Sequence, residues 1–330
     1  MSSVHLLSAA EAGPQGHQSA WLDLELMRDS ARADRFGAHR LVDDPAAADL
    51  ILFVEFSWLA GYYFERVRSH PVYREFGPRC YLFAATDKIV PFLPGVYASI
   101  ERRWCLPAWT RSGFYLGVRE EGAFRYEPSG SPRYLFSFLG AAGNHPLRRR
   151  VLALRHPDAS LVDSQGGRPD VTPDRDHPDY APRYVEGIRD SAFVLCPRGG
   201  GTSSFRLFEA MMLGRVPVIV SDQWVPPTGP DWDAFSIRVP EAEVEAIPAL
   251  LEARAGEAAA MGEAARSAWV EWFSREAAFN STVEWCLELQ RAAPERAGLP
   301  RYRPHLQMLR PYHAARSLGK RLGHGRDAEP

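Results

Sequence analysis

One segment constrains this chain more than any other: FVLCPRGGGTSSFRLFEAMMLGRVPVIVSD, from Phe193 to Asp222. An apolar run ends in Pro-Arg and three glycines, an amphipathic stretch follows, and a second apolar run closes at Asp222. Two short apolar runs separated by a helix-period stretch read as parallel strands joined by a crossover helix. The fold class is therefore α/β. Glycines between strand and helix leave the loop without side chains. The first N–H groups of a helix have no partner inside it and together carry about half a positive charge. Glycine lets a large anion reach them without meeting a Cβ. The pattern predicts a phosphate or diphosphate site built from Arg198, Gly199, Gly200 and Gly201, with hydroxyls from Thr202, Ser203 and Ser204. The Arg198 guanidinium can fork onto phosphate oxygens.

The nature of the anion carrier follows from what the loop lacks. No lysine stands where a nucleotide-hydrolase P-loop needs one. Gly199 and Gly201 fit the first two glycines of a dinucleotide fingerprint, and Asp222 ends the next strand where a ribose-binding acid belongs. Position 204, however, is serine. An NAD(P)-dependent oxidoreductase is thus the alternative reading. Glu209 separates the two: a carboxylate about two turns from the phosphates can accept both hydroxyls of a ribose. Arg206, three residues earlier, either pairs with it on the surface or joins the anion site. Phe205, Phe208 and Met212 recur at helical spacing and are expected in the core.

The chain has 330 residues, 45% of them hydrophobic and 24% charged, enough for two cored domains. A net charge of -2 gives no field that would select nucleic acid. All but two of the 39 basic residues are arginine (Lys88 and Lys320 are the exceptions), so no single arginine is diagnostic. The four cysteines, Cys80, Cys105, Cys196 and Cys286, are far apart and read as reduced thiols. The start lacks the basic and long apolar regions of a signal peptide, and no run reaches the ~18 residues of a membrane span. A cytoplasmic location is expected. Strands are predicted at Val4–Ser8, Leu50–Phe56, Arg79–Ala84 and Tyr134–Leu139, with helices between. PSGSP at 128–132 reads as a linker. The organisation expected is a first domain over 1–128, a second over 129–290, and a basic, proline-broken tail over 291–330.

LCPRGGGTSSFRLFEAMMLGRVPVIVSD resembles the signature of the exostosin family, glycosyltransferase family 47. DDPAAADLILFVEF, TDKIVPFLPGVYASIE, PRYLFSFLGAAGNHPLRRR and WVEWFS are also similar to it, so the resemblance runs from about Pro45 to Trp285. It implies a GT-B fold, two Rossmann-like domains facing a cleft, with the last segment crossing back to the first. The implied function is a glycosyltransferase whose second domain binds a nucleotide-sugar donor, a UDP-sugar, and transfers the sugar to a glycan or lipid-linked acceptor. Distant retaining relatives carry a second glutamate eight positions before the one matching Glu209; here that position is Gly201, which points to inversion.

The donor site implied includes Gly140, Arg148, Ser221 and Asp222 beside the glycine loop, Arg206 and Glu209. An inverting transfer needs one general base from the first domain. Asp87, Glu55 and His17 are the candidates, with Asp87 in the matching TDKIVPFLPG segment. Trp104, Trp109, Tyr62 and Tyr63 are candidates for stacking on an acceptor. Asp174 and Asp176 form an Asp-x-Asp in a proline-rich loop rather than after a strand, so no metal is expected. Helix dipole and arginine would stabilise the leaving diphosphate instead. The arginine-rich tail is a candidate for peripheral membrane contact. A non-catalytic relative that binds sugar nucleotide or glycan is a further alternative.

Overall fold

The computed structural model describes residues 1–9, 18–55, 64–87, 89–128, 130–164, 180–294 and 309. Two parallel sheets dominate it. The first contains β1 (Ser2–Leu7), β2 (His39–Leu41), β3 (Leu50–Glu55), β4 (Cys80–Ala84), β5 (Gly95–Tyr97) and β6 (Thr110–Ser112) in the order β2-β1-β3-β4-β5-β6. The second contains β7 (Tyr134–Gly140), β8 (Ala159–Asp163), β9 (Ser191–Pro197), β10 (Val216–Val220) and β11 (Ile237–Arg238) in the order β11-β10-β9-β7-β8. Every strand pairing is parallel.

The first domain carries α1 (Gln18–Ala33), α2 (Glu65–Ser69) and α3 (Pro71–Phe76). The second carries α4 (Pro146–Leu152), α5 (Tyr180–Arg189), α6 (Phe205–Met212), α7 (Trp232–Phe235), α8 (Ile247–Ala253) and α9 (Ala258–Trp272), followed by α10 (Ala278–Arg291). The central strands β3, β4, β9 and β10 are buried throughout their length, as a parallel sheet covered on both faces requires.

Among the described residues the segments joining β4 to β5 and β5 to β6 contain no α-helix. Their strands still need a cover, and α10 supplies it, packing on α1, β3, β5 and β6. Within the described residues α10 is thus an element that crosses back to the first domain. Phe279, Val283, Trp285, Cys286 and Leu289 form its buried face. Among the described residues no helix is long and apolar enough to cross a membrane. The tail, apart from 292–294 and 309, lies outside the described residues.

One apolar cluster runs through both domains, from Val4, Leu52 and Phe83 to Phe208, Trp269 and Leu289. Phe114 stands at its centre, with Phe83, Phe208, Phe273 and Trp285 around it at centroid distances of 5.6, 6.4, 5.4 and 6.1 Å.

The sequence missed β2, β5, β6, β8 and β11. Four of them have two or three residues, too few for a period to show. β5 begins at Gly95 directly after a proline. A Cβ there would lie 2.1 Å from Leu82 O and 2.8 Å from Leu82 N, so only glycine lets β5 lie against β4. Gly95→Ala is expected to destabilise the protein by on the order of 3 kcal/mol, because backbone cannot retreat as a side chain does. Urea unfolding of the variant checks this.

Candidate functional site

Parallel sheets present ligand sites at the carboxyl ends of their strands. In the first domain those ends bear Glu55 on β3, Asp87 after β4 and Ser99 after β5; in the second they bear Gly140 as the last residue of β7 and Arg198 after β9. Asp87 and Ser99 meet the second domain at the glycine loop.

The loop divides into two halves. Its second half docks onto the first domain. The N–H groups of Thr202 and Ser203 donate to Ser99 Oγ at 2.7 and 3.1 Å, and Thr202 Oγ1 donates to the Ile100 carbonyl at 3.1 Å. A Cβ at position 201 would lie 2.1 Å from both Asp87 Oδ1 and Ser99 Oγ. Gly201 is thus the space that lets the first domain reach the loop. Ser99, Thr202 and Ser203 are all buried. Thr202 and Ser203, expected at a diphosphate, thus have their N–H groups and the Thr202 hydroxyl proton engaged by Ser99 and Ile100. Ser204 caps α6 by its backbone, with no side-chain hydrogen bond to the helix.

The first half meets arginine. Arg148 is buried, whereas Arg149 and Arg150 beside it are exposed. Its Nε donates to the Arg198 carbonyl at 3.1 Å and its Nη1 to the Ala141 carbonyl at 3.4 Å. A Cβ on Gly199 would lie 2.8 Å from its Nη2. Arg206 turns inward instead of lying on the surface. Its Nη2 donates to the Leu139 carbonyl, its guanidinium lies 4.6 Å over the Phe138 ring, and a Cβ on Gly140 would meet its Nη2 at 2.9 Å. Gly140 and Gly199 are therefore small because guanidinium groups lie over them. His145 heads α4, and burial, with Arg198 and Arg148 nearby, keeps its imidazole below the usual pKa. Arg198 Nη1 is 3.8 Å from Glu241 Oε1.

Tyr184 on α5 donates its hydroxyl to Glu209 Oε2, fixing that carboxylate half a helix away from the loop. Beside them a cavity of about 210 Å³ is lined by Ser137, Leu139, Ser160, Arg183, Tyr184 and Arg206, among others. Asp222 is exposed and exchanges hydrogen bonds with Glu241: its Oδ1 accepts from the Glu241 N–H at 3.0 Å, and its N–H donates to Glu241 Oε1 at 3.1 Å. Its carboxylate thus meets the first N–H of the 3-10 turn Glu241–Ala246, 19 residues on. Ser221 precedes it at the end of β10 with its hydroxyl buried.

Of the candidate bases, His17 lies outside the described residues. Asp87 is exposed, and Tyr115 donates to its Oδ1 at 3.4 Å. Glu55 is fully buried, accepting from the Ala9 N–H at 2.5 Å and Ser8 Oγ at 3.1 Å. Burial pushes its pKa up to about 7, against those hydrogen bonds. Trp109 is tied down by its indole donating to the Pro91 carbonyl at 2.8 Å, and Trp104 is partly buried against the first domain's core. Tyr62, Tyr63, Asp174 and Asp176 lie outside the described residues. Among the described residues no group of three or more His, Cys, Asp or Glu could hold a metal ion.

Sequence reasoning missed Ser99, Tyr115 and Tyr184, and misplaced Phe205. Expected in the core, Phe205 is 46% exposed, its ring stacked on Tyr115 at 3.9 Å and 19°. It opens α6, where the helix projects past its own domain toward the first.

The comparisons with known proteins agree with the loop. Residues 105–253 match the Exostosin GT47 domain. An exostosin-1 homolog of Caenorhabditis elegans is 40% identical over 80 residues, covering 23% of this chain and 21% of its own length. A probable glycosyltransferase of Arabidopsis thaliana is 40% identical over 128 residues, 37% of this chain and 22% of its own. A probable glucuronosyltransferase of Oryza sativa subsp. japonica is 31% identical over 130 residues, 38% of this chain and 30% of its own. The chain thus spans less than a third of the length of the curated relatives it matches. Among solved structures, a glycosyltransferase from Rickettsia africae aligns at a TM-score of 0.43 and 10% identity, covering 88% of this chain and 97% of its own. Anabaena HepE in complex with UDP-glucose aligns at 0.40 and 11%, covering 90% and 99%. These two likenesses are loose.

Glu55 carries a pH signature. Its pKa is near 4.5 unfolded and about 7 folded, so the stability tied to its protonated form is complete below 4.5 and is lost as pH rises through 7. Glu55→Gln is expected to flatten the fall in unfolding free energy between pH 5 and 8 by about 3 kcal/mol, from 1.36 kcal/mol per unit. Chemical unfolding across that range checks it. Over residues 105–253 the chain is similar to the Exostosin GT47 domain.

Proposed function

We propose that the protein is a glycosyltransferase that takes a sugar from a nucleotide-diphosphate donor, a UDP-sugar, and transfers it with inversion and without a metal. One observation carries the reading: Arg206 and Arg148 lie over the bare glycine positions 140 and 199, with His145 and Arg198 beside Arg148, and the first domain's Asp87 stands against Gly201 in the same loop. Guanidinium groups held before the ligand arrives favour the charge that builds on a departing diphosphate. Glu209, oriented by Tyr184, would take the ribose hydroxyls, and the neighbouring cavity the base. The acceptor hydroxyl attacks the anomeric carbon and the bond to the diphosphate breaks. UDP departs with that electron pair, and the acceptor proton passes to Asp87 or Glu55. A base with a pKa near 7 suits that transfer at neutral pH. The acceptor, a glycan or a lipid-linked sugar, belongs to the same proposal.

Thermal unfolding with UDP, UDP-sugars, GDP, GDP-sugars, NAD and NADP, without added metal, tests the donor. UDP at 100 times its dissociation constant should add about 2.7 kcal/mol of stability. A shift with NAD or NADP alone would sink the reading in favour of an oxidoreductase. Binding of UDP-sugar with no transfer and no slow hydrolysis would leave a non-catalytic binder.

Glu209 gives a second check. Glu209→Gln keeps an acceptor for Tyr184 but loses the charge. It should weaken UDP binding by about tenfold or more with little change in melting temperature. Titration calorimetry beside thermal unfolding separates this from a structural role, which would move stability and leave affinity.

A further inference from the structure

We propose that the outer face of Phe205 is the platform on which a pyranose ring of the acceptor lies. The inference rests on the glycosyltransferase reading and assigns that site a part which neither the sequence pattern nor the family match supplies. A single exposed aromatic ring needs no explanation in general. Three features set this one apart. Its inner face is held flat against Tyr115, with centroids 3.9 Å apart and planes 19° apart, so the ring is fixed although 46% exposed. It opens the helix that follows the glycine loop, and the 115–117 segment of the first domain runs beneath it, Gly117 being the place where a Cβ would come within 3.8 Å of Phe205 Cε1. The same Tyr115 that supports the ring sends its hydroxyl to Asp87, an exposed carboxylate. A flat apolar face and a carboxylate, positioned by one tyrosine, lie at the junction of the two domains.

The chemistry of the occupant follows. The face of an aromatic ring is its negative side and attracts the polarised C–H groups that line one face of a pyranose. The carboxylate asks for hydroxyl donors from the same molecule. A lipid chain would satisfy the ring but not Asp87. A protein partner needs about 800 Å² on each side, far more than one ring. A carbohydrate ring meets both demands, and one stacked here brings a hydroxyl toward Asp87, the proton acceptor the transfer needs. The donor's own sugar has the same chemistry, so the test must tell donor from acceptor.

The probes are the methyl β-glycosides of glucose, N-acetylglucosamine, glucuronic acid, galactose and xylose. Binding to the full chain with saturating UDP is followed by saturation-transfer NMR. At least one glycoside should bind through its ring C–H protons. Phe205→Ala should weaken that glycoside by about tenfold, and Phe205→Trp should stay within about threefold of wild type. UDP and UDP-sugar affinity and the melting temperature should be unchanged in both variants. Equal glycoside binding by Phe205→Ala overturns the proposal, and so does the absence of binding by wild type to all five. A parallel loss of UDP-sugar affinity, with UDP itself unaffected, gives the ring to the donor sugar and overturns it too. Failure of UDP to bind wild type brings down the underlying reading, and the platform with it.

Discussion

The site depends on the aromatic cluster around Phe114. That ring touches side chains from β4, α6, α10 and the segment after α9, so one apolar contact fixes both sheets at once. Residues that contribute to the site come from strand ends belonging to different sheets. Their distances have meaning only if the sheets are held. Polar ties around the cluster act in the same sense: Ser112 Oγ donates to the Val225 carbonyl at 2.6 Å, and Trp285 Nε1 to the Thr228 carbonyl at 3.1 Å. Asp29 on α1 receives Arg119 and Arg275 together, which holds its carboxyl well below the usual pKa. Because dispersion and burial reward only close contact, the junction sets a defined geometry instead of a range of openings.

Within that frame the glycines do two jobs. Gly140 and Gly199 make room for guanidinium groups of their own domain, while Gly201 makes room for a carboxylate and a hydroxyl from the other. From sequence, three adjacent glycines look like one cradle. They are a boundary between an arginine-lined surface and a docking surface. The helix N-terminal field is accordingly shared: Ser99 takes two N–H groups just before α6, and on the proposed function the cationic side chains would supply the charge for an anion at positions 198–200.

Much of this was legible in the chain. Long apolar runs gave β3, β4, β7, β9 and β10, because strands buried on both faces cannot hide their composition. The glycine loop and Glu209 stood out for the same reason any broken rule does. What stayed hidden is long-range. Ser99 lies 103 residues before Thr202, and nothing local distinguishes it from another serine. Tyr184 is ordinary until Glu209 is placed beside it. Nothing in the run of three arginines separates Arg148 from Arg149 and Arg150 apart from the family resemblance; the physical difference is the side of α4 that faces Gly199. Phe205 shows the opposite failure. The 205, 208, 212 spacing puts it on the core face of the helix, but periodicity assumes that the core continues to the helix end. Here it stops at Phe208, and the surface that meets Phe205 is the ring of Tyr115.

The distribution of charge over the two faces explains why they differ in kind. The second domain offers guanidinium groups, which stay protonated at any physiological pH and suit a permanent anion. The first offers carboxylates in contrasting settings, Glu55 sealed under Ser8 and Ala9, and Asp87 open to solvent beside Tyr115. A buried acid with a pKa of about 7 changes charge near neutrality, whereas an exposed acid is available to an incoming hydroxyl without any rearrangement. On the proposed function, exposure favours Asp87 as the group that meets the acceptor, and burial leaves Glu55 a group whose charge follows pH while it ties Ser8 and Ala9 to β3. The aromatic platform adjoins the exposed acid and not the buried one, so the two inferences about the acceptor side rest on a single tyrosine, Tyr115, whose ring and hydroxyl serve them separately.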